Sequence, residues 1–542
     1  MSGSIEEKLF ARKSSGLIKE ASGSQALFFN ILNVMGGKFP WSMSVLGLFP
    51  AGLIFGFYSP YLFAVLLFGL ACCILGIVYV QIVTPMPRSG ADYVVPARLM
   101  GPFWGWINSW MIVWSYIPIW AFATWIAVRN VKVFFDILSV PGITPRAPWI
   151  LVPPAETVIG IVIMLVAVGM VMLPPRKYYK LIAVTGVLAV ISLIVIGIGT
   201  AFNTPTTFDH NLQSLVGVSM NNLTQTAIKD GFDPNGGFNF ATLAGLAGYV
   251  LFVTGGFQTS ASISGELRGD VKKNLTYSIL GSLVFFIAFS VFFVWWMVNQ
   301  YGYNFTLSWS YLFWNFRGSA PLSLPPINAL MTTIAAPNLW FIWLFASVAG
   351  VIGAFMLLPT SLLYVNRLIL AWGIDRMLPR SVAEVHPKYR QPAKLIVIQG
   401  ILAVIFYLVL VYLPNFNPTN YPYWSTLMVM PSYIFPAICA LLLPRRRPDL
   451  AKVVPWRRWL RPVAVLWLII IIPFYAFAGF IGSVPQPTSG TISGLWQYAV
   501  STGLIAAVCT VLVGAVIFFI VRQYNIKRGV DVDKLFKTIP PE

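Results

Sequence analysis

The chain has 542 residues, 58% hydrophobic, 15% aromatic and only 10% charged. A soluble domain carries about 25% charged residues, so this composition excludes an ordinary soluble protein and predicts an integral membrane one. The formal charge of +19 would suit nucleic acid, but the basic residues are spread between apolar segments rather than gathered on one soluble face, and no nucleic-acid partner is expected.

Residues 1–24 are polar with no apolar run, so no removable signal peptide is expected. About twelve apolar segments follow, long enough to cross a bilayer. They cover about 25–49, 59–83, 103–128, 156–173, 181–202, 240–265, 278–299, 339–365, 394–413, 423–443, 463–482 and 495–521. The N-terminal arm, the even-numbered connections and the C-terminal tail hold 30 of the 36 lysines and arginines. The odd connections hold only Arg129, Lys132, Arg146, Lys229 and Arg317. The positive-inside rule therefore puts both termini in the cytoplasm. In this scheme 1–24 is a cytoplasmic arm, 203–239 an extracellular loop, 444–462 a basic cytoplasmic loop, 463–521 the last two spans and 522–542 a cytoplasmic tail. Basic residues in 444–462 read as a topology anchor near anionic headgroups. The outer loops 203–239 and 300–338 carry glycosylation-type triplets at Asn222 and Asn304, while a third at Asn274 faces the cytoplasm and is expected to be silent.

Cys72, Cys73, Cys439 and Cys509 lie inside apolar segments and read as small buried hydrophobes rather than a disulfide framework. His210 and His386 are too few and too far apart for a metal cluster. No metal and no cofactor is expected. No Asp or Glu falls deep within a span, with Glu156 and Glu266 at span ends, so an enzyme with a buried catalytic constellation is not expected. There is no P-loop to drive transport with ATP.

Two segments are interrupted. Val34-Met35-Gly36-Gly37-Lys38 breaks the first and Thr254-Gly255-Gly256-Phe257 the sixth. Glycine costs about 1 kcal/mol relative to alanine inside a helix, and a lysine at bilayer depth is costly too. One glycine pair could simply let helices pack closely. Two at matching places point to a transporter's binding site built on discontinuous helices. With the N-terminus inside, the half-helix beginning near Lys38 points its free N–H groups at mid-membrane, where they suit a carboxylate. The half ending near Phe252 points free carbonyls of Phe252, Val253 and Gly255 at the same depth, where they suit an ammonium. Together they would select an α-amino acid zwitterion.

Three connecting stretches carry a resemblance. Pro87-Arg88-Ser89-Gly90-Ala91-Asp92-Tyr93 resembles the Pro-Arg-Ser-Gly-Gly-x-Tyr loop of the amino acid–polyamine–organocation (APC) superfamily. Gly255-Gly256-Phe257-Gln258 with Gly265-Glu266 and Lys272-Lys273-Asn274 resembles its sixth span and the run after it. Arg367, Asp375-Arg376-Met377-Leu378-Pro379 and His386-Pro387-Lys388 through Pro392 resemble the run after its eighth span. The resemblance implies an all-α membrane fold of the LeuT-like type, with spans 1–5 (25–202) and 6–10 (240–443) as inverted repeats and two helices outside them. Residues 35–39 depart from the first-span motif Gly-x-Gly-x-Phe, because Met35 stands at the first glycine and Lys38 is inserted.

The expected substrate site is Met35, Gly36, Gly37, Phe252, Val253, Thr254, Gly255 and Gly256. The resemblance makes Phe252 an aromatic lid. Trp114, Tyr116 and Trp120 are candidate pocket walls, although aromatics on spans commonly just pack. Gln258 stands where relatives carry glutamate, and an amide cannot titrate. Lys38 is the coupling candidate: its ammonium would fill a cation position or titrate during the cycle, against the plainer alternative that it snorkels into a water-filled vestibule. Span eight offers Ser347, Thr360 and Ser361 as oxygens, too few to favour sodium. The expected function is secondary transport of a neutral, apolar amino acid across the plasma membrane by alternating access, sodium-independent, and proton-linked or exchanging. Its alternatives are an amine or polyamine exchanger and an amino acid sensor on a transporter scaffold.

Overall fold

The computed structural model describes residues 17–35, 58–137, 148–232, 234, 251, 254–302, 304–306, 308–309, 312, 328–382, 384–413, 421–483, 492–529 and 536. Among them the regular structure is helical, with only two isolated β-bridges. Helix α1 is Gly23–Met35, α2 Tyr58–Val83, α3 Ala91–Leu99, α4 Pro102–Ile137, α5 Pro153–Val171 and α6 Pro175–Gly199. Then come α7 Pro205–Val216, α8 Met220–Lys229, α9 Val271–Tyr301, α10 Asn328–Ala335, α11 Trp340–Ile374 and α12 Ala393–Tyr412. The chain ends with α13 Tyr421–Val429, α14 Ile434–Arg446, α15 Leu460–Ser483 and α16 Ile492–Lys527.

Ten helical stretches among the described residues are long and apolar enough to cross a membrane. They fall on expected spans two to five and seven to twelve. Span ten is one helical rod made of α13 and α14 joined by a 3₁₀ turn at Met430–Tyr433. Helix starts follow local chemistry. Proline opens α5, α6 and α7, where its missing N–H is not needed, and Thr204 and Ser219 cap α7 and α8 by accepting from the N–H of Thr207 and Asn222.

Several expectations need correction. Helix α4 runs nine residues past its expected end and α11 nine past its own. Apolarity marks only the bilayer-buried part of a helix, whereas hydrogen bonding and ion pairs carry it further. At the end of α4, Lys132 pairs with Asp136 one turn on, and Arg129 pairs with Glu156 on α5 at 2.9 Å while lying over the Trp125 ring. The outer stretch 203–239 is not plain loop: it holds α7 and α8, and Asn222 lies exposed on α8. Cys509 is exposed rather than buried.

One apolar core runs through nearly every helix, with α4 and α11 in the most extensive contact. The outward faces are apolar as well: Ile198 is 69% and Ile469 63% exposed. Such rows belong against lipid rather than water. Exposed Trp149, Trp295, Trp340, Trp456 and Trp459 sit near helix ends, where indoles favour the membrane interface.

Long-range bonds tie several of the connections together in two groups. On one side the N–H of Glu20 and Ala21 donate to the Glu266 carbonyl, Gly90 N–H donates to Ser262, and Arg98 forms a bidentate pair with Asp375 at 2.5 and 2.8 Å. Asn525 donates to the Arg376 carbonyl there, and Phe536 of the tail lies under the Arg98 guanidinium. On the other side Asn203 donates to the Gln300 carbonyl and Asn211 to that of Ile334.

Candidate functional site

The sixth segment is broken where the glycines stand. Leu251 and Thr254 are helical, Gly255 N–H closes the last turn on the Leu251 carbonyl at 2.9 Å, and residues 255–258 form a turn. Gly256 has φ of 107°, a left-handed backbone that side chains disfavour. The chain then resumes as a 3₁₀ helix, Thr259–Glu266. The first segment arrives as α1, described as far as Met35. Gly36, Gly37, Lys38, Phe252 and Val253 lie outside the described residues.

Helix α1 is fastened to the sixth segment by Asn30. Its Nδ2 donates to Ser260 Oγ at 2.9 Å and to the Ser278 carbonyl at 3.0 Å. Its Oδ1 accepts from Thr259 Oγ1 at 2.9 Å and Ser260 N–H at 2.8 Å. Asn33, one turn on, packs against Gly256. Thr254 is buried; its hydroxyl is 3.2 Å from the Leu251 carbonyl and 3.5 Å from Cys72 Sγ. Gln258 is fully buried and its Oε1 accepts the Gly256 N–H at 3.2 Å.

Below the break lies a buried carboxylate that sequence reasoning missed. Asp92, on the short helix α3, is 3% exposed. Tyr79 of α2 donates to its Oδ1 at 2.7 Å, and Tyr364 of α11 and Ser262 of the 3₁₀ helix donate to its Oδ2 at 2.8 and 3.2 Å. Burial pushes the Asp92 carboxyl up from its ordinary value, and the three hydroxyl donors offset part of that. The cluster extends to Tyr116, whose ring is 5.1 Å from Tyr364, and to Phe257, 6.1 Å edge-on to Tyr79. Glu266 is buried as well, gripped by Arg367 Nε at 2.6 Å and by Tyr179 Oη at 3.0 Å. Both are buried acids that the sequence reading did not anticipate, although none was expected deep within a span and neither lies there. Asp92 and Glu266 flank spans rather than lie in them, but close packing of the segment ends removes both from solvent.

Of the expected wall residues, Tyr116 joins this cluster. Trp114 does not: its ring contact is Trp110, 5.6 Å away, whose indole donates to the Thr510 carbonyl on α16. Trp120 is buried with its indole N–H lacking a hydrogen bond. One signal for the missed residues was in the sequence: Asn30 and Asn33 are polar groups three apart in an otherwise apolar run, and in a membrane helix such residues face protein partners.

A helical multi-pass protein, lipid-facing outside and broken at a glycine pair inside, has the build of a membrane permease. The sequence model of the family described as amino acid permease matches residues 24–506, and the chain belongs to that family, within the APC superfamily. It is a family of transporters rather than of enzymes. No curated protein matches the chain.

Proposed function

We propose that this permease carries a neutral amino acid across the plasma membrane by alternating access, with both termini in the cytoplasm. The observation that supports this best is the break at Gly255-Gly256, whose left-handed Gly256 packs directly against Asn33 of α1. The carboxylate and ammonium would be taken at Met35–Gly37 and Phe252–Gly256, with Phe252 as lid. Sodium independence is proposed because Lys38 would stand in a cation position. Two groups are candidates to take a proton: Lys38, from its place in the sequence, and Asp92, which faces Tyr79, Tyr364 and Ser262, with Tyr116 and Tyr433 beyond.

Counterflow of labelled amino acids into proteoliposomes tests the reading. Neutral amino acids should exchange and resist competition by putrescine, and removal of sodium should change nothing. Preferential uptake of putrescine would make the protein an amine exchanger. Thermal stabilisation by amino acids without counterflow would make it a sensor. The pH profile should depend on the two candidate groups. Because the Asp92 carboxyl is pushed up, it loads with protons as the medium turns acid, so Asp92→Asn should flatten the acid limb. Lys38→Met should flatten the profile or leave only exchange. Profiles identical to the wild type in both variants would remove proton linkage.

Sidedness has its own test. Cysteines introduced within 203–239 should react with an impermeant maleimide on intact cells, and those within 444–462 should not. Reversed labelling would overturn the topology.

A further inference from the structure

Two asparagines on one face of α1 behave in opposite ways. Asn30 uses both ends of its amide in four hydrogen bonds, all to the sixth segment and α9. Asn33 is 0% exposed, and neither its Oδ1 nor its Nδ2 has a hydrogen-bond partner. Leaving a buried donor or acceptor unmatched costs about 1–3 kcal/mol, and native structures keep few such groups. Asn30 therefore accounts for the fastening of α1, and Asn33 has no such role.

Its position suggests another. A Cβ on Gly256 would run into Asn33 Oδ1, so the amide lies directly against the left-handed turn of the broken helix. On that turn Gln258 spends Oε1 on the Gly256 N–H, and the rest of its amide faces the Tyr433 hydroxyl. Two uncharged side-chain amides thus meet the break, and Asn33 has both its donor and its acceptor to spare. The acids nearest this stretch are already matched, Asp92 by three hydroxyls and Glu266 by Arg367 and Tyr179. A cationic side chain would find no free counter-charge in these groups, and a hydrocarbon one would leave the Asn33 amide unmatched. A hydroxyl or carboxamide both donates and accepts, which is what Asn33 requires.

We propose that Asn33, with Gln258, forms a polar subsite at the break that reads the substrate's side chain, and that the transported amino acid carries an uncharged hydrogen-bonding side chain rather than an apolar one. This rests on the amino acid transport proposed above and replaces the apolar preference expected from sequence. A site that hydrogen-bonds its substrate rejects the analogue lacking the group, because its own polar atoms are then stranded.

The test uses near-isosteric pairs, labelled threonine against valine and asparagine against leucine, in proteoliposomes containing the full chain. The wild type should favour the polar member of each pair by about tenfold or more in kcat/KM. Asn33→Leu should bring both ratios towards one. If that variant does not fold, Asn33→Ala should show the same collapse and Asn33→Ser a partial one. The proposal is overturned if the wild type takes valine as readily as threonine. It is equally overturned if the variants lose all four substrates in parallel with the ratios unchanged, which would mark Asn33 as structural. Transport of no amino acid at all would instead overturn the functional reading on which it stands.

Discussion

Arg367→Met should destabilise the protein by about 3–5 kcal/mol, the usual result of stranding one member of a buried ion pair. The Arg367 and Glu266 side chains are 0% and 1% exposed. The guanidinium reaches Glu266 through Nε at 2.6 Å and Nη2 at 3.1 Å, and donates through Nη1 to Asn366 Oδ1 at 2.9 Å. Glu266 also receives Tyr179 from α6, while its carbonyl holds Glu20 and Ala21 of the N-terminal arm. The pair therefore ties the end of the sixth segment to α6, α11 and the arm. With total stabilities of about 5–15 kcal/mol, loss of one partner should cut the yield of folded protein severely and lower its melting point in detergent. Removing both charges should hurt less, because two apolar side chains strand nothing. The double variant Glu266→Met/Arg367→Met should thus melt above either single variant. A double variant no more stable than the worse single one would show that desolvated charge is not what the pair manages.

Gly256→Ala should abolish most transport. Two penalties act together. A side chain at φ of 107° is strained, at about 1–3 kcal/mol, and the added methyl would collide with Asn33 Oδ1. Every 1.4 kcal/mol is a factor of about ten, so a fall of at least tenfold is expected in counterflow. Gly197→Ala is the matched control: it lies within α6, where an added Cβ meets nothing within 4 Å. There, alanine should leave transport alone and stabilise the helix by up to about 1 kcal/mol. Equal effects of the two substitutions, in samples matched for folded protein by size exclusion, would mean that the break needs no bare backbone.

How much was legible beforehand differs by element. The ten crossing helices were legible because a span announces itself through local apolarity over its own length. The break at Gly255-Gly256 was legible because glycine pairs oppose helix locally. Helix ends were less so: α4 and α11 overrun their apolar cores.

The sequence alone determined the membrane class, the order of the spans and the site of the sixth-segment break, since each depends on residues close together in the chain. The tertiary structure alone decided which polar groups are matched. Asp92 is buried only because residues 13, 170 and 272 positions away donate to it, and Glu266 tolerates burial only because Arg367 stands 101 positions on. Asn30 and Asn33 look alike in sequence, yet one meets the hydroxyls of the 3₁₀ helix and the other meets the bare face of Gly256. Whether a buried polar group has a partner depends on non-local packing, to which local patterning is blind.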